Sequence, residues 1–393
     1  MGHPVEQTEL RPLCLIAPVR STTETATMSI LVDSSFATQL PRVVMSACGE
    51  SVEILRIEPI ARSRNVKVRL RLAGSEVDRA MNAVLRMLPC AEFGRVLAET
   101  PGAAFEGIWV PLVTPFRDGR VDLDAAQRLA THLVDNGVHG LVVCGTSGEA
   151  ATLNEMEQKD LLRAVLDAVG SRCPVLVGIS ESDTREAVNK ASRMQRYGIA
   201  GFLVSAPPYI RPSQQGLLLH FQSIAAAADR PIVLYNIPQR TGVNIELDTI
   251  KALVDNPRFV AIKECGGNPQ TLKRLISETP LKVLSGEDTL TFITLGLGGH
   301  GAISAAAHIR PDLYVRMYEL VKAGEIERAR VIFDTLLPLI RYLFSEPNPA
   351  PVKAALALQG WISEELRLPM TPVTDVCKAK LRASLESVNT FRG

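Results

Sequence analysis

Eight short apolar runs, spaced along the chain from residue 107 onward, constrain the fold more than any other feature of the sequence. They are Ile108–Val113, Gly140–Cys144, Val175–Ile179, Gly201–Val204, Ile232–Tyr235, Phe259–Lys263, Lys282–Ser285 and Gly301–Ser304. Most are followed by a helical pattern, such as the one that places Leu129, Leu133 and Val134 on one face. Strands that are buried on both faces and alternate with helices are typical of a parallel sheet.

The number of these units favours a closed (β/α)8 TIM barrel over an open, doubly wound sheet. A doubly wound sheet also alternates strands with helices, but this sequence has no dinucleotide-binding fingerprint in the required context. The glycine-rich segment Leu295–Gly301 precedes an apolar run instead of following one, which indicates a tight turn. We therefore predict an α/β protein with a TIM barrel at residues 107–310 and a C-terminal helical appendage at residues 311–393.

The residues before the barrel follow a different pattern, and a chain of 393 residues is long enough for a second, smaller domain. Val66–Leu72 alternates strictly, as a half-buried strand does, and Ser75 is placed to cap a following helix. We predict a small α+β unit at residues 50–100, with a ferredoxin-like arrangement as one candidate, and a linker at Pro101–Ala104. Residues 1–49 lack clear periodicity, so we predict an irregular or disordered N-terminal segment there.

Charge and cysteine content exclude several classes of protein. The net charge of +1 argues against nucleic acid or an anionic membrane as the main partner. No apolar run reaches the ~18 residues expected of a transmembrane helix. The seven cysteines are scattered without a C-x-x-C pair, which is typical of reduced thiols in a cytoplasmic protein. The histidines lack ligand spacing, so we predict no metal site.

Lys263 stands at the end of the sixth apolar run, where a barrel enzyme places its chemistry. An ammonium group in apolar surroundings is poorly hydrated, and we expect this desolvation to lower the lysine pKa. A neutral amine is a nucleophile that forms a Schiff base with a carbonyl compound. The alternative is an ordinary lysine that reaches solvent from a strand end.

Two other strand ends carry groups that suit such chemistry. The second run leads into Gly145–Glu149, whose glycines and hydroxyls indicate a backbone nest for a carboxylate or phosphate. The fifth run ends at Tyr235, a candidate for proton transfer. Taken singly, these are also consistent with a plain β–α turn and a core tyrosine. Together with Lys263 they favour Schiff-base chemistry on a 2-oxo acid.

A set of ordered motifs resembles the dihydrodipicolinate synthase/N-acetylneuraminate lyase family of pyruvate-dependent aldolases. The motifs are G-T-S-G-E at 145–149, A-P-P-Y-I-R-P-S-Q-Q-G at 206–216, Y-N-I-P-x-R-T-G at 235–242, I-K-E at 262–264, L-S-G-E-D at 284–288, G-G-H-G-A-I-S at 298–304, E-P-N-P-A-P-V-K at 346–353 and R-L-P-M-T-P-V-T-D at 367–375. The resemblance covers about residues 107–385 and extends most closely to the synthases of the family. The unit before the barrel has no place in the usual family outline.

The resemblance implies four catalytic residues. Lys263 forms the imine with pyruvate, and Tyr235 is the general acid and base, hydrogen-bonded toward Thr146. Tyr209 matches a tyrosine that a neighbouring subunit inserts to complete the proton relay, which implies a homo-oligomer, either a dimer or a tetramer.

The resemblance also implies five substrate-binding residues. Ser147 and the backbone that begins at Gly145 hold the pyruvate carboxylate, and Gly286 and Ile303 line the pyruvate pocket. Arg240 binds the carboxylate of the second substrate, L-aspartate 4-semialdehyde, and it distinguishes the synthases from sugar-acid lyases. The implied reaction gives 4-hydroxy-tetrahydrodipicolinate, a step of lysine and diaminopimelate biosynthesis, without a metal or organic cofactor.

Two alternatives to this function remain at the level of sequence. One is a sibling aldolase that acts on a sugar acid or hydroxy-oxoglutarate, and the other is a non-catalytic binding homologue. The residues that match the lysine-inhibition site of bacterial relatives also depart from the family pattern. They are Glu155, Gln158, Ser182 and Pro208, whereas Glu186 keeps the expected type.

Overall fold

The computed structural model describes residues 25–49, 52–60, 64–88, 90–93, 97–99 and 105–391. The chain divides into two compact units between Gly102 and Ala103. The predicted linker Pro101–Ala104 lies outside the described residues, as do residues 1–24.

The described part of the first unit is an antiparallel sheet with two helices. In chain order the elements are β1 (Thr25–Asp33), α1 (Gln39–Cys48), β2 (Val52–Pro59), β3 (Asn65–Ala73), α2 (Val77–Met87), β4 (Glu92–Phe93) and β5 (Leu97–Glu99). The strand order is β2-β3-β1-β4, and β5 also pairs with β1. A β-α-β-β-α-β chain with this sheet order has the ferredoxin-like arrangement.

The prediction of an irregular segment at residues 1–49 is wrong for residues 25–49, which form β1 and α1. Strand β1 lies inside the sheet and buries Met28, Ile30 and Val32 on one face. This alternation is present in the sequence, but the intervening threonine and serine and the apolar Leu31 obscure it. Leu40 and Val44 of α1, one helical turn apart, pack into the same core.

The second unit contains the closed barrel of eight parallel strands that the apolar runs predicted. Its strands are β6 (Gly107–Pro111), β9 (Gly140–Val143), β10 (Val175–Ile179), β11 (Gly201–Ser205), β12 (Ile232–Asn236), β13 (Phe259–Glu264), β14 (Lys282–Ser285) and β15 (Gly301–Ile303). A small hairpin of β7 (Phe116–Arg117) and β8 (Arg120–Val121) follows the first barrel strand.

Helices surround the barrel strands. They are α3 (Leu123–Asp135), α4 (Glu155–Val169), α5 (Thr184–Met194), α6 (Gln214–Ala227), α7 (Pro238–Thr241), α8 (Leu247–Leu253), α9 (Pro269–Glu278), α10 (Thr291–Gly296) and α11 (Pro311–Lys322). The chain then continues into α12 (Ile326–Leu343), α13 (Ala350–Leu358) and α14 (Asp375–Thr390). Within the described residues, no helix combines the length and the apolar character needed to cross a membrane.

The predicted boundary at residue 310 needs a correction. Helix α11 follows the last barrel strand and packs against the first one, so it is the eighth helix of the barrel. The appendage proper therefore consists of α12, α13 and α14. The error arose because helical patterns before and after Gly324 look alike in the sequence, and only packing against the sheet distinguishes them.

Apolar side chains fill the interior of the barrel, one from each strand. They are Trp109, Val142, Leu176, Leu203, Val233, Ala261, Leu284 and Ile303. Trp109 requires a glycine beside it, because a Cβ at Gly140 would lie 2.1 Å from its ring. Since this layer fills the interior, polar chemistry is left to the carboxyl ends of the strands.

Candidate active site

A cavity of about 400 Å³ opens where the barrel strands end. Seven of the nine residues predicted for the site line this cavity. They are Thr146, Ser147, Tyr235, Arg240, Lys263, Gly286 and Ile303. Gly145 lies next to Thr146 in the same turn, whereas Tyr209 does not line the cavity.

Lys263 and Tyr235 are direct neighbours on adjacent strands. Their Cα atoms are paired in the register of β12 and β13, and both side chains are buried. The Nζ atom of Lys263 lies 4.4 Å from the centre of the Tyr235 ring, so the ammonium group is in contact with the aromatic ring. Thr146 lines the same cavity, and the proton relay that the resemblance implies among these three residues stays a prediction.

The surroundings of Lys263 reverse the pKa direction expected from the sequence. Burial on its own lowers the pKa of this lysine, but the neighbouring Tyr235, Cys265 and Asp288 outweigh burial and raise it above the ordinary value. The prediction of a lowered pKa is therefore wrong for the substrate-free site. The ammonium form dominates there, and a proton must leave before the amine attacks a carbonyl carbon.

Tyr235 is a weak acid in this position. Burial raises the pKa of its phenol, and the effects of Lys263 and of the Thr146 hydrogen bond offset this only in part. Burial likewise raises the pKa of the Cys265 thiol to about 12, so this cavity-lining side chain stays neutral at physiological pH. The phenol thus keeps its proton until a reaction intermediate draws it away.

The turn after β9 is compact and partly left-handed. Cys144 and Glu149 have positive φ angles of 57° and 51°, and the Gly148 N–H donates to the Gly145 carbonyl at 3.1 Å. A Cβ at Gly148 would lie 2.9 Å from a backbone oxygen of Leu112, so a larger residue does not fit. The N–H groups of Gly148, Glu149 and Ala150 all donate within the turn, so the interpretation of the turn as an anion-binding nest stays a prediction that depends on the N–H groups before them.

Gly286 keeps space open beside the lysine. A Cβ at this position would lie 2.1 Å from Sγ of Cys265 and 2.8 Å from Cε of Lys263. Any larger residue would displace the lysine side chain from its present position. Ile303, which is fully buried, closes the apolar floor of the cavity.

Asn348 connects two of the predicted binding residues, although the sequence interpretation assigned it no role. Its Nδ2 donates to Oγ of Ser147 at 3.0 Å, and its backbone oxygen accepts from Arg240 at 3.3 Å. Arg240 itself is exposed on α7 at the edge of the cavity. Asn348 belongs to the E-P-N-P-A-P-V-K motif, which could have drawn attention to it in the sequence, but its contacts with Ser147 and Arg240 are visible only in the structure.

The L-S-G-E-D motif also contributes two carboxyl groups that sequence reasoning missed. Both Glu287 and Asp288 line the cavity after β14. Asp288 is buried, accepts hydrogen bonds from the Ser304 hydroxyl and the Ala306 N–H, and joins the loops that follow β14 and β15. Burial raises the pKa of the Asp288 carboxyl.

A buried ion pair anchors the nest to the C-terminal helices. Nζ of Lys353 lies 2.8 Å from Oε1 of Glu149 and donates to the Thr114 carbonyl at 2.9 Å. Burial lowers the pKa of Lys353, and the adjacent Glu149 acts in the opposite direction. The backbone N–H of Arg367 donates to the second oxygen of Glu149 at 3.3 Å.

Tyr209 is 91% exposed and has a positive φ of 73°. The structure of a single chain brings it to the surface and not into its own cavity. The contact with a neighbouring subunit that the resemblance implies for Tyr209 therefore stays a prediction.

At the positions that match the family's lysine-inhibition site, the side chains form hydrogen bonds and an ion pair within the chain. The Ser182 hydroxyl donates to the Pro208 carbonyl at 2.9 Å, and Nε2 of Gln158 donates to the Ala150 carbonyl at 3.2 Å. Glu155 forms an ion pair with Lys159 at 2.5 Å. No group of three or more His, Cys, Asp or Glu side chains is arranged to hold a metal ion among the residues with described positions.

The model of the dihydrodipicolinate synthetase family matches residues 104–388. The chain belongs to this family. A curated relative, the 4-hydroxy-tetrahydrodipicolinate synthase of Syntrophobacter fumaroxidans, is 42% identical over 286 residues, which is 72% of this chain and 98% of the relative. The matched region begins at the second unit, so the ferredoxin-like unit lies outside it.

Two solved structures have the same fold as the second unit. One is dihydrodipicolinate synthase from Cyanidioschyzon merolae with lysine bound, at 39% identity and a TM-score of 0.71, covering 73% of this chain and 99% of that one. The other is described as the first monomeric variant of dihydrodipicolinate synthase, at 36% identity and a TM-score of 0.71, covering 73% of this chain and 97% of that one.

Proposed function

We propose that this protein condenses pyruvate with L-aspartate 4-semialdehyde to form 4-hydroxy-tetrahydrodipicolinate through an imine at Lys263. The observation that carries the proposal is the buried, contacting pair of Lys263 and Tyr235, which lines one cavity with Thr146, Ser147 and Arg240. The 42% identity to a curated synthase of this reaction supports the choice of substrates. Arg240 also supports this choice, because the resemblance associates an arginine at this position with the synthases and not with the sugar-acid lyases of the family.

The first half of the reaction attaches pyruvate to the enzyme. The Lys263 amine attacks the ketone carbon, and loss of water leaves an imine. Ser147 and the backbone of the nest from Gly145 hold the pyruvate carboxylate, while Gly286 and Ile303 bound the space around the methyl group. Removal of a methyl proton gives the enamine, with protons carried by Tyr235 and Thr146.

The second half forms the ring. The enamine carbon attacks the aldehyde of the semialdehyde, whose carboxylate lies against Arg240. The amine of the semialdehyde then attacks the imine carbon, and the Lys263 nitrogen leaves as the free amine. Imine and enamine chemistry uses no metal or organic cofactor, so none is part of the proposal.

We further propose a homo-oligomer, a dimer or tetramer, in which Tyr209 of one subunit completes the proton relay of its neighbour. The exposed and left-handed Tyr209 supports this, as does the relative whose monomeric state is described as the first of its kind. Among the described residues, Cys90, Cys144, Cys173, Cys265 and Cys377 form no disulfide, which supports a location in the reducing cytoplasm.

The test is to trap the imine and to measure the reaction. Pyruvate with borohydride should add a reduced pyruvyl group to the peptide that contains Lys263, as mass spectrometry can determine. A coupled assay should show turnover with pyruvate and aspartate semialdehyde and little turnover with a panel of sugar-derived aldehydes. Labelling of another lysine, or a preference for a sugar aldehyde, would contradict the proposal.

A further inference from the structure

The cavity carries charges of both signs. Arg240 and two carboxyl groups, those of Glu287 and Glu346, are among the residues that line it. Gln239, the residue before Arg240, donates from Nε2 to Oε1 of Glu287 at 2.9 Å. This hydrogen bond places the Glu287 carboxyl beside the short helix α7 that carries Arg240.

The two carboxyl groups differ in how they are used within the protein. Glu346 accepts hydrogen bonds at both oxygens from Thr374, one from the hydroxyl and one from the N–H at 3.1 Å. Among the described residues, Gln239 is the side chain that donates to Glu287, and it occupies Oε1 alone. Oε2 of Glu287 is therefore available to a further donor in the cavity.

The local electrostatics at Glu287 favour a bound cation. The residue is half-buried, and burial together with the neighbouring Asp288 raises the pKa of its carboxyl. A partly buried carboxylate is costly in such a place unless positive charge accompanies it; Lys263 acts in this direction, and a positively charged ligand would add to it. A desolvated ammonium group has the matching requirement for an acceptor.

The second substrate of the proposed function carries a carboxylate and an ammonium group on the same carbon atom. We propose that Glu287 binds the ammonium group of this substrate while Arg240 binds its carboxylate, so that the cavity selects aldehydes that carry an α-amino acid group. This inference rests on the proposed function. It assigns a specificity-determining role to Glu287, distinct from the imine chemistry at Lys263.

The experiment compares the semialdehyde with its analogue that lacks the amino group, succinate semialdehyde. For each variant, the KM for aspartate semialdehyde and the inhibition constant of succinate semialdehyde are measured at saturating pyruvate. Glu287→Gln keeps the shape and removes the charge. It should raise the KM about tenfold to a hundredfold, the value of one charge-assisted hydrogen bond, and leave the inhibition constant within about threefold.

Two further variants make the comparison decisive. Arg240→Ala should weaken both compounds, since both carry the carboxylate. Glu346→Gln changes a carboxyl group on the same cavity whose oxygens are already used, and it should resemble the wild type. Trapping of pyruvate at Lys263 should proceed in all of these variants, which also shows that they are folded.

The outcomes separate this inference from the proposed function. If the wild-type protein does not convert aspartate semialdehyde, the proposed function fails. If it does, and Glu287→Gln weakens both compounds equally or neither, the role of Glu287 is overturned. If Glu346→Gln instead raised the KM for aspartate semialdehyde selectively, the ammonium group would be bound at Glu346, and the assignment to Glu287 would be refuted.

Discussion

The two units of this protein differ in what they bury. Among the side chains described in residues 25–93, every buried one is hydrophobic, whereas the barrel unit buries Glu149, Lys263, Glu264, Asp288 and Lys353. Burying a charge is unfavourable unless it is paired or hydrogen-bonded. In the barrel unit, hydrogen bonds and ion pairs compensate the buried charges, so we expect catalysis in this unit.

The charged side chains that the structure describes in the ferredoxin-like unit lie outside its core. Lys67 and Arg71 alternate along β3 with buried Val68 and Leu70, and Arg71 forms a partly exposed ion pair with Glu53 at 2.6 Å. Strand β3 lies between β2 and β1, so these side chains lie on a face of the sheet and not at its edge. Exposed pairs of this kind contribute about 0–1 kcal/mol to stability.

The largest effect is expected at the buried lysine of the cavity. Lys263→Arg should reduce turnover by roughly 10³-fold or more, because a guanidinium group stays protonated and does not form the imine. Steady-state assays and borohydride trapping measure this. If Lys263→Arg kept substantial activity, Lys263 would not be the residue that forms the imine.

Tyr235→Phe should lower kcat by roughly 10²–10⁴-fold, the usual contribution of a positioned acid or base. The ring and its packing against Lys263 remain, so the imine should still form with pyruvate. A loss of less than about threefold would remove the phenol from the proposed proton path.

A matched pair of variants tests buried against exposed ion pairs within the barrel unit. Lys353→Met leaves Glu149 buried without its partner and should lower the free energy of unfolding by about 3–5 kcal/mol. Lys251→Met removes the partly exposed partner of Glu278, 2.6 Å away, and should cost less than about 1 kcal/mol. Denaturant titration measures both. Equal losses would mean that burial does not distinguish the two pairs.

The raised pKa of Lys263 predicts how imine formation depends on pH. Below that pKa the neutral amine falls about tenfold per pH unit, so the rate of imine formation should rise steadily with pH across the neutral range. Single-turnover trapping with pyruvate and cyanoborohydride measures the slope. A flat profile would indicate that the lysine is already neutral, as the sequence alone had suggested.

The smallest effect is expected from removal of residues 1–103, since the barrel unit is compact by itself and nearly the whole of a curated relative matches it. We expect kcat to change by less than about twofold, because separate domains fold independently. Millimolar lysine should inhibit the truncated protein little, because Ser182, Pro208 and Gln158 already bond to one another or to the backbone nearby.

The lysine experiment sharpens the comparison of the two units. Strong inhibition that survives truncation would refute the prediction and restore the family's regulatory site. Inhibition of the full-length protein alone would locate an amino-acid-binding site within residues 1–103, outside the barrel unit.

The barrel was predictable because each strand is short, apolar and followed by a helical pattern. Strand β1 and helix α1 were missed because polar residues interrupt their alternation, and the boundary at residue 310 was misplaced because barrel and appendage helices have the same periodicity. Within the candidate site, seven of nine predicted residues line one cavity, but their catalytic roles remain predictions.

The sequence by itself determined which residues end the strands, since strand periodicity and the motifs at Lys263, Tyr235 and Gly145–Glu149 are local. Only the tertiary structure decided how those residues behave. The pKa of Lys263 is raised because Tyr235 arrives on the neighbouring strand and Asp288 on the loop after β14. Asn348 and Lys353 contact the turn after β9 from 201 and 204 residues away in the chain. Such contacts depend on the closure of the barrel and the packing of α13, which no local pattern encodes.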